Sequence, residues 1–402
     1  MPNIKQSVLV AMTVILLSAC AAPAIPPAAP AVSRDVLPAV EPPELSEPVL
    51  PDPGESAPVP AGWEVQTVAE GLFVPWSLVF TAGNRILVSE RSGAIREIVD
   101  GELSPTPLYA FAGVDSRGEA GLMGLTLDPA YADNRFVYAC YAVEGDAGMA
   151  NKVARLVDRD GRMDLDAIIL EQIPSARAHA GCRLRFGPDG KLYVTTGDAL
   201  NTSSAQQLDS LAGKILRINP DGSVPADNPF LGSPVYSYGH RNPQGIDWQP
   251  GSGLLFSTEH GPSGFDGPGG GDEINIIMPG GNYGWPLVSH DETLEGTIAP
   301  VIQFTPAEAP ASVAFYSADT LPMFSGNLFF GALRGEGLVR VVLDENDPAS
   351  VLAVEKIVSD VGRVRDVVQG PDGLLYFSTS NRDGRGREQP GDDKVLRLAP
   401  IF

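Results

Sequence analysis

The sequence contains little cysteine, few basic residues and no long apolar run, and each shortage excludes a class of protein. Only three cysteines occur in 402 residues, and none has the spacing of a zinc site. Lysine and arginine total 28 against 50 acidic residues, and the net charge of −22 argues against nucleic acid or an anionic membrane surface as a partner. No segment has the roughly 18 consecutive apolar residues of a spanning helix. Helical periodicity with caps is also absent nearly everywhere, so strands are expected.

Residues 1–20 have the pattern of an export signal. Lys5 provides a short positive region, and the apolar segment Val8–Leu17 is too short to span a bilayer. The ending Leu17-Ser18-Ala19-Cys20 resembles the lipoprotein processing box, in which the cysteine is acylated; a plain signal peptide with a chance cysteine is the alternative. Both interpretations predict export. The lipoprotein interpretation, with Ala21 after the cysteine, predicts a periplasm-facing protein anchored to the outer membrane through Cys20.

The next segment is predicted to be a tether. Residues 21–60 contain 12 of the 37 prolines and cannot bury enough apolar surface to fold, so an extended, self-repelling chain is expected. The folded part is then 61–402. No second low-complexity linker divides it, which favours one large closed architecture.

A turn of the Pro/Asp/Gly type followed by a short apolar strand recurs six times in the folded part. The units are FTAGNRILVSE (80–90), LDPAYADNRFVYACY (127–141), FGPDGKLYVTTGD (186–198), WQPGSGLLFSTEH (248–260), FSGNLFFGAL (324–333) and QGPDGLLYFSTSN (369–381). Their starts lie 45 to 76 residues apart, close to the length of a four-stranded blade with variable loops. The repeat predicts an all-β, six-bladed propeller of four-stranded antiparallel blades, in which the strand-like segments 63–69 and 394–399 share one blade. A β-sandwich or a β-helix is the alternative, although the coils of a β-helix are shorter.

Polar residues concentrate in three neighbouring motifs, GHRNPQG (239–245), EHGP (259–262) and GDEIN (271–275). Their glycines and prolines allow a backbone to approach a ligand closely. In a propeller the loops gather around the central channel, so strand ends from different repeats converge there. The carbonyl and carboxylate oxygens of EHGP and GDEIN suit a hard cation such as Ca²⁺, although no EF-hand loop is present.

Two further sets of residues suggest chemistry. His179 precedes the first strand of the third unit and Asp198 follows its second, so the two could meet as a general base held by a carboxylate; a structural His–Asp pair is the alternative. Arg363 and Arg365 are two apart on a strand-like segment, so they are expected to face the same side and could offer two guanidinium groups to an anionic ligand, whereas two solvated arginines on an edge strand are the alternative. Arg334 and Arg241 could complete a basic cluster.

The combined motifs closely resemble the soluble pyrroloquinoline-quinone (PQQ)-dependent sugar dehydrogenases, the glucose/sorbosone and aldose sugar dehydrogenase family, over about 62–402. The resemblance rests on GLFVPWSLVF (71–80), EAGLMGLTLDPAY (119–131), HAGCRLRFGPDGKLYVTTGD (179–198), GKILRINPDGSVPADNPF (213–230), YGHRNPQG (238–245), EHGP, DEINIIMPGGNYGWP (272–286) and GRVRDVVQGPDGLLYFST (362–379). It implies a six-bladed propeller that oxidises aldoses at C1 to lactones, with PQQ and Ca²⁺ as cofactors and an external electron acceptor.

The resemblance also implies roles for individual residues. His179 would be the catalytic base that removes the hydroxyl proton while hydride passes to the quinone, and Asp198 would orient it. Arg241 and Asn242 would contact the quinone, and Arg241 would also be a catalytic residue. The other residues implied at the cofactor are Glu119, His260, Arg334, Arg363 and Arg365. Backbone oxygens of Gly261 and Pro262 would hold the cofactor-bound Ca²⁺, and Glu273 with the Tyr283 carbonyl would hold a second Ca²⁺.

The chain departs from the family pattern at four places. Arg334 stands where lysine is frequent, Glu119 where glutamine can occur, PAEAPAS (306–312) with Ala307 replaces a PSxAPSG-like run, and SGFDGPGGG (263–271) lengthens a loop. These departures permit a cofactor-free binding propeller as one alternative function. A calcium-dependent lactonase is the other, since that class also uses six-bladed propellers with a central cation. Cys140 and Cys182 could form a disulfide or remain buried thiols, and the sequence does not decide between the two.

Overall fold

The computed structural model describes residues 60–81, 84–145 and 148–402. The predicted signal peptide, Cys20 and nearly all of the predicted tether lie outside these residues, so the export and anchoring predictions stay predictions. In the described ranges, helix is limited to α1 (Tyr131–Asn134) and the 3-10 turns Thr202–Gln206 and Pro322–Phe324. None of these helices is long and apolar enough to cross a membrane.

The described chain is built almost entirely from short antiparallel strands. In chain order they are β1 Gly62–Ala69; β2 Pro75–Phe80, β3 Arg85–Glu90, β4 Ala94–Val99, β5 Glu102–Leu103 and β6 Tyr109–Ala110; β7 Leu122–Leu127, β8 Phe136–Gly145, β9 Gly148–Asp158 and β10 Met163–Pro174; β11 Leu184–Phe186, β12 Leu192–Thr196, β13 Lys214–Ile218 and β14 Val235–Tyr238; β15 Pro243–Trp248, β16 Leu255–Glu259, β17 Asp272–Ile277 and β18 Ile302–Phe304; β19 Pro310–Phe315, β20 Leu328–Ala332, β21 Gly337–Leu343 and β22 Val351–Val358; and β23 Val364–Gln369, β24 Leu375–Thr379 and β25 Val395–Ile401.

These strands form six sheets that close into a ring. Sheets two to five take four consecutive strands each, and the sixth combines β23, β24 and β25 with β1. The innermost strands of neighbouring sheets, such as β2 with β7 and β19 with β23, contact one another around the centre. The predicted six-bladed propeller is confirmed, and ring closure rules out the sandwich and the β-helix.

The terminal strands share one blade, as predicted. β1 pairs antiparallel with β25 from Gly62↔Ile401 to Ala69↔Val395, so the start of the folded part completes the last sheet. The first blade differs from the predicted four strands. Its outer position is taken by two short strands, β5 and β6, which both pair with β4.

Each repeat unit covers the turn from the innermost strand to the second strand of its blade. In the third blade β11 pairs with β12 from Leu184↔Val194 to Phe186↔Leu192, and Gly190 in the connecting turn has φ +69°. Because the two strands of such a hairpin are antiparallel, the residues before the first and after the second lie on the same face of the ring. This geometry brings polar strand ends from all the blades to one face.

Apolar residues fill the six interfaces between neighbouring blades. Leu78 and Ile86 of the first blade, for example, pack in one buried cluster with Leu374 and Tyr376 of the last. Between the second and third blades the packing includes a covalent link, since Cys140 on β8 and Cys182 just before β11 form a disulfide. The structure thereby settles the pairing that the sequence left open.

Candidate active site

A cavity of about 420 Å³ opens on the face where the polar strand ends gather. Its walls come from strand ends and loops of the second to sixth blades, and most of its lining is polar or charged. The lining residues are Glu119, Ala178, His179, His260, Gly261, Pro262, Ser263, Phe265, Asp272, Ala307, Ala309, Leu333, Arg334, Glu336, Arg363 and Arg385. Of the residues predicted at the cofactor, it contains Glu119, His179, His260, Arg334 and Arg363, and of the predicted calcium ligands, Gly261 and Pro262.

The structure brings His179, which lines this cavity, together with Asp198. His179 Nδ1 lies 2.7 Å from Asp198 Oδ1, and both side chains are buried. Asp198 is itself fixed, since Oδ1 accepts the Leu200 N–H at 2.8 Å and Oδ2 accepts the Trp285 indole N–H at 2.8 Å. A carboxylate at Nδ1 assigns the proton to that nitrogen, which leaves Nε2 of His179 able to accept one.

The backbone also constrains the base. His179 has φ +57°, a left-handed conformation that is unusual for a residue with a side chain. Its N–H donates to Glu119 Oε2 at 3.1 Å. The neighbouring Gly197 leaves room for this turn, because a Cβ there would lie 1.9 Å from the His179 carbonyl oxygen.

His260 and Asn242 lie beside this pair. Burial lowers the pKa of His260 to about 3, so its ring is neutral across the physiological range. Its Nε2 is buried and has no hydrogen-bond partner among the described residues. Asn242 does not line the cavity; its Oδ1 accepts the Gly181 N–H at 3.2 Å, one residue before the disulfide.

The predicted basic cluster is present only in part, and it is not a bare cationic patch. Arg363 lines the cavity but binds Asp383 through Nε at 2.9 Å and through a terminal nitrogen at 2.8 Å. Arg241 lies just behind the wall and binds Asp266 at 2.7 Å. The physical reason is desolvation, since a buried guanidinium without a carboxylate would be costly.

Arg365 departs from the expectation that it shares a side with Arg363. The register of β23 against β24 shifts between Val364 and Asp366, so Arg365 sits in a β-bulge where strict alternation fails. Its guanidinium turns to the centre of the ring, where it donates to Gln244 Oε1 at 2.7 Å and lies 5.5 Å from the Trp76 ring. Burial lowers the pKa of Arg365 to about 9.

The same kind of bulge occurs in two other innermost strands, and it explains why three side chains meet at the centre of the ring. The register of β2 against β3 shifts between Pro75 and Ser77, and the register of β15 against β16 shifts between Pro243 and Gly245. Trp76, Gln244 and Arg365 are therefore equivalent bulged residues of three innermost strands, and they meet at the centre.

The predicted calcium ligands lie around a smaller adjoining space of about 10 Å³. Gly261, Pro262, Glu273 and Tyr283 all line it, next to Glu259. Burial and the Glu259 carboxylate raise the pKa of Glu273 to about 8. In the ranges that the structure describes, no group of three or more His, Cys, Asp or Glu side chains could hold a metal ion. A calcium site here would therefore depend on backbone oxygens.

The sequence model of the Glucose / Sorbosone dehydrogenase family matches residues 72–388. The chain belongs to this family. The matched range includes β2 to β24 and every lining residue of the cavity.

Characterised relatives and solved structures agree with the family assignment. The aldose sugar dehydrogenase YliI of Escherichia coli strain K12 is 35% identical over 350 residues, which is 81% of this chain and 92% of that protein. Quinoprotein glucose dehydrogenase B of Acinetobacter calcoaceticus is 32% identical over 260 residues, or 56% of this chain and 53% of that protein. The PQQ-bound aldose sugar dehydrogenase of Streptomyces coelicolor superposes with a TM-score of 0.74 at 36% identity, covering 85% of this chain and 99% of that one.

The sequence analysis missed several residues of this site. Asp383 and Arg385 follow β24. Asp383 pairs with Arg363, and Arg385 donates to Glu119 Oε1 at 2.7 Å. Their position after the second strand of a blade is equivalent to that of Asp198 after β12. Comparison of strand ends between repeats could have found them. Phe265 of the lengthened loop was also missed.

Proposed function

We propose that the protein is a PQQ-dependent aldose dehydrogenase that oxidises the sugar at C1 to the lactone and passes electrons to an external acceptor. One observation carries the proposal. A buried histidine held by a carboxylate opens into a 420 Å³ cavity that also contains Arg334, Arg363 and Arg385. The family and the PQQ-bound relative support the coarser assignment, a PQQ-type aldose or glucose dehydrogenase.

His179 is the proposed general base. With its Nδ1–H held by Asp198, Nε2 accepts the proton of the C1 hydroxyl as hydride leaves C1. The Asp198 carboxylate stabilises the imidazolium that forms, and the Trp285 and Leu200 N–H groups hold that carboxylate in place.

The cavity suits an anionic, planar cofactor. Arg334 is a cation at the rim, Arg363 lies in the wall as the partner of Asp383, and His260 offers an unpartnered ring nitrogen. PQQ is a planar tricarboxylate, and these are the donors that its carboxylates and ring heteroatoms require. When bound, the quinone supplies the acceptor for the hydride. Glu119 does not oppose this charge, because Arg385 neutralises it.

We also propose Ca²⁺ at the boundary between the two cavities. Gly261 and Pro262 border both spaces, and their backbone oxygens would hold this ion, whereas Glu273 and Tyr283 line the smaller space, where a second Ca²⁺ would bind. Carbonyl and carboxylate oxygens are the ligands that Ca²⁺ prefers. When bound there, Ca²⁺ supplies a Lewis acid that polarises the acceptor oxygen.

Reconstitution tests the proposal directly. Protein prepared without PQQ is expected to be inactive in dye-linked aldose oxidation, to gain activity with PQQ and Ca²⁺, and to lose it with a chelator. Arg363→Ala should raise the PQQ concentration for half-reactivation by roughly 10- to 100-fold, because it removes a charge-assisted contact worth about 1.5–3 kcal/mol.

Arg162→Ala is the matched control for that experiment, since Arg162 is exposed and lies away from the cavity. If calorimetry detects no PQQ binding to the folded protein in the presence of Ca²⁺, the dehydrogenase proposal fails. A cofactor-free binding propeller would then replace it. Lactone hydrolysis with Ca²⁺ alone would instead favour the lactonase.

Gly197→Ala should lower kcat of the reconstituted enzyme at least roughly tenfold, because the new methyl would push the His179 carbonyl away and separate the base from Asp198. The measurement is steady-state kinetics together with the thermal unfolding midpoint. Gly62→Ala is the control, since its Cβ would meet nothing within 4 Å. Unchanged kcat in Gly197→Ala would contradict the geometric requirement at the base.

A further inference from the structure

The lengthened loop 263–271 borders the cavity. Gly264, Gly267 and Gly270 all have positive φ, at +92°, +159° and +115°, and they allow the sharp turns of the loop. The Gly270 N–H donates to the Pro262 carbonyl at 3.2 Å and closes the loop at its stem. Ser263 and Phe265 face the cavity and contribute to its lining.

Arg241 anchors this loop. Its Nε donates to Asp266 Oδ2 at 2.7 Å, and the two side chains are only 2% and 6% exposed. Its terminal nitrogens donate to the His260 carbonyl at 3.0 Å and to Ser263 Oγ at 3.1 Å. All three guanidinium nitrogens therefore hold the loop or its stem. Because the pair is buried, its geometry fixes where the loop lies.

The anchored loop presents Phe265 beside the proposed base. The Phe265 and His179 rings are stacked, with centroids 5.8 Å apart and an interplanar angle of 22°. Phe265 is nevertheless 69% exposed, so most of one large aromatic ring faces open space at the cavity mouth. A loop with this many glycines has the freedom to turn such a ring elsewhere. An aromatic ring held exposed beside polar catalytic groups is typical of a binding surface for an amphipathic ligand.

We propose that Phe265 is a specificity-determining residue, an aromatic platform for the C–H face of an aldopyranose whose C1 hydroxyl reaches His179, and that Asp266 is its positioning residue. This inference rests on the proposed function and names the substrate feature that the site selects. A pyranose with equatorial hydroxyls presents an uninterrupted apolar face to the ring, whereas an axial hydroxyl interrupts that face. The preferred substrates are therefore aldopyranoses of the all-equatorial type.

Kinetics of the PQQ- and Ca²⁺-reconstituted enzyme with D-glucose and its axial epimers test this proposal. Phe265→Ala should lower kcat/KM for the all-equatorial sugar about tenfold, mainly through KM. The kcat/KM values for D-glucose and its axial epimers should therefore become more nearly equal. Phe265→Tyr should keep the wild-type ratios. Phe402→Ala, which removes an equally exposed ring at the chain end, should change nothing.

The anchor predicts coupling between the two residues. Asp266→Asn should shift the epimer ratios in the same direction as Phe265→Ala, and the double variant should be no worse than Phe265→Ala alone. The PQQ concentration for half-reactivation should stay unchanged in Phe265→Ala. Wild-type epimer ratios in Phe265→Ala, or a loss of PQQ affinity in place of the KM effect, would overturn the proposal. Inactivity of the wild type with every aldose would instead overturn the proposed function.

Discussion

His179→Gln is expected to lower kcat for aldose oxidation by roughly 10²–10⁴-fold while leaving PQQ binding nearly intact. Glutamine fills a similar volume and can still hydrogen-bond to Asp198, but it cannot accept the C1 hydroxyl proton. The loss should therefore appear in kcat of the reconstituted enzyme and not in the PQQ titration. Unfolding should be little affected, since the buried carboxylate keeps its Trp285 and Leu200 donors.

Asp198→Asn provides the companion measurement for the base. An amide can still accept the Trp285 N–H, but it carries no charge to stabilise the imidazolium, so kcat should fall here too. The two effects should not add in the double variant, because both residues act through the same proton. Turnover near that of the wild type in His179→Gln would refute the assignment of the base. Additive losses in the double variant would show that Asp198 does not act through His179.

The repeat made the fold and the pairing of His179 with Asp198 predictable. Turn residues at regular intervals define hairpins, and a hairpin puts the residue before its first strand next to the residue after its second. The same relation places His260 after β16 and Arg334 after β20 on that face. Such positions depend on backbone periodicity, which a sequence displays directly.

The ion pairs could not be predicted in the same way. Which carboxylate neutralises Arg363 depends on the path of the loop after β24, and which one neutralises Arg241 depends on the turns of the glycine-rich loop. Arg365 shows a second limit. Alternation placed it on the same side as Arg363, but a bulge at the start of β23 moved it into the channel. A bulge depends on pairing between strands, and no local pattern in the sequence announces it.

The disulfide between Cys140 and Cys182 is expected to contribute about 4 kcal/mol to the free energy of unfolding. The two cysteines are 42 residues apart, and closing a loop of this length removes that much entropy from the unfolded chain. The link also joins β8 to the segment three residues after His179, where the Cys182 N–H donates to the Thr195 carbonyl at 2.6 Å. Reduction should therefore loosen the segment that carries the base, as well as lowering stability.

Both sulfur atoms are buried, so the comparison requires refolding with and without a reductant. Reduced wild type keeps both sulfur atoms in the core, so no cavity is created. The difference between its denaturation midpoint and that of the oxidised protein would therefore measure the effect of the crosslink alone. A Cys140→Ala, Cys182→Ala double variant should lose slightly more stability and should not respond to the reductant. If oxidised and reduced wild type unfold within about 1 kcal/mol of each other, the entropic account fails. The segment that carries His179 would then be held by its backbone hydrogen bonds, since the Ala199 and Cys182 N–H groups already tie it to the hairpin that bears Asp198.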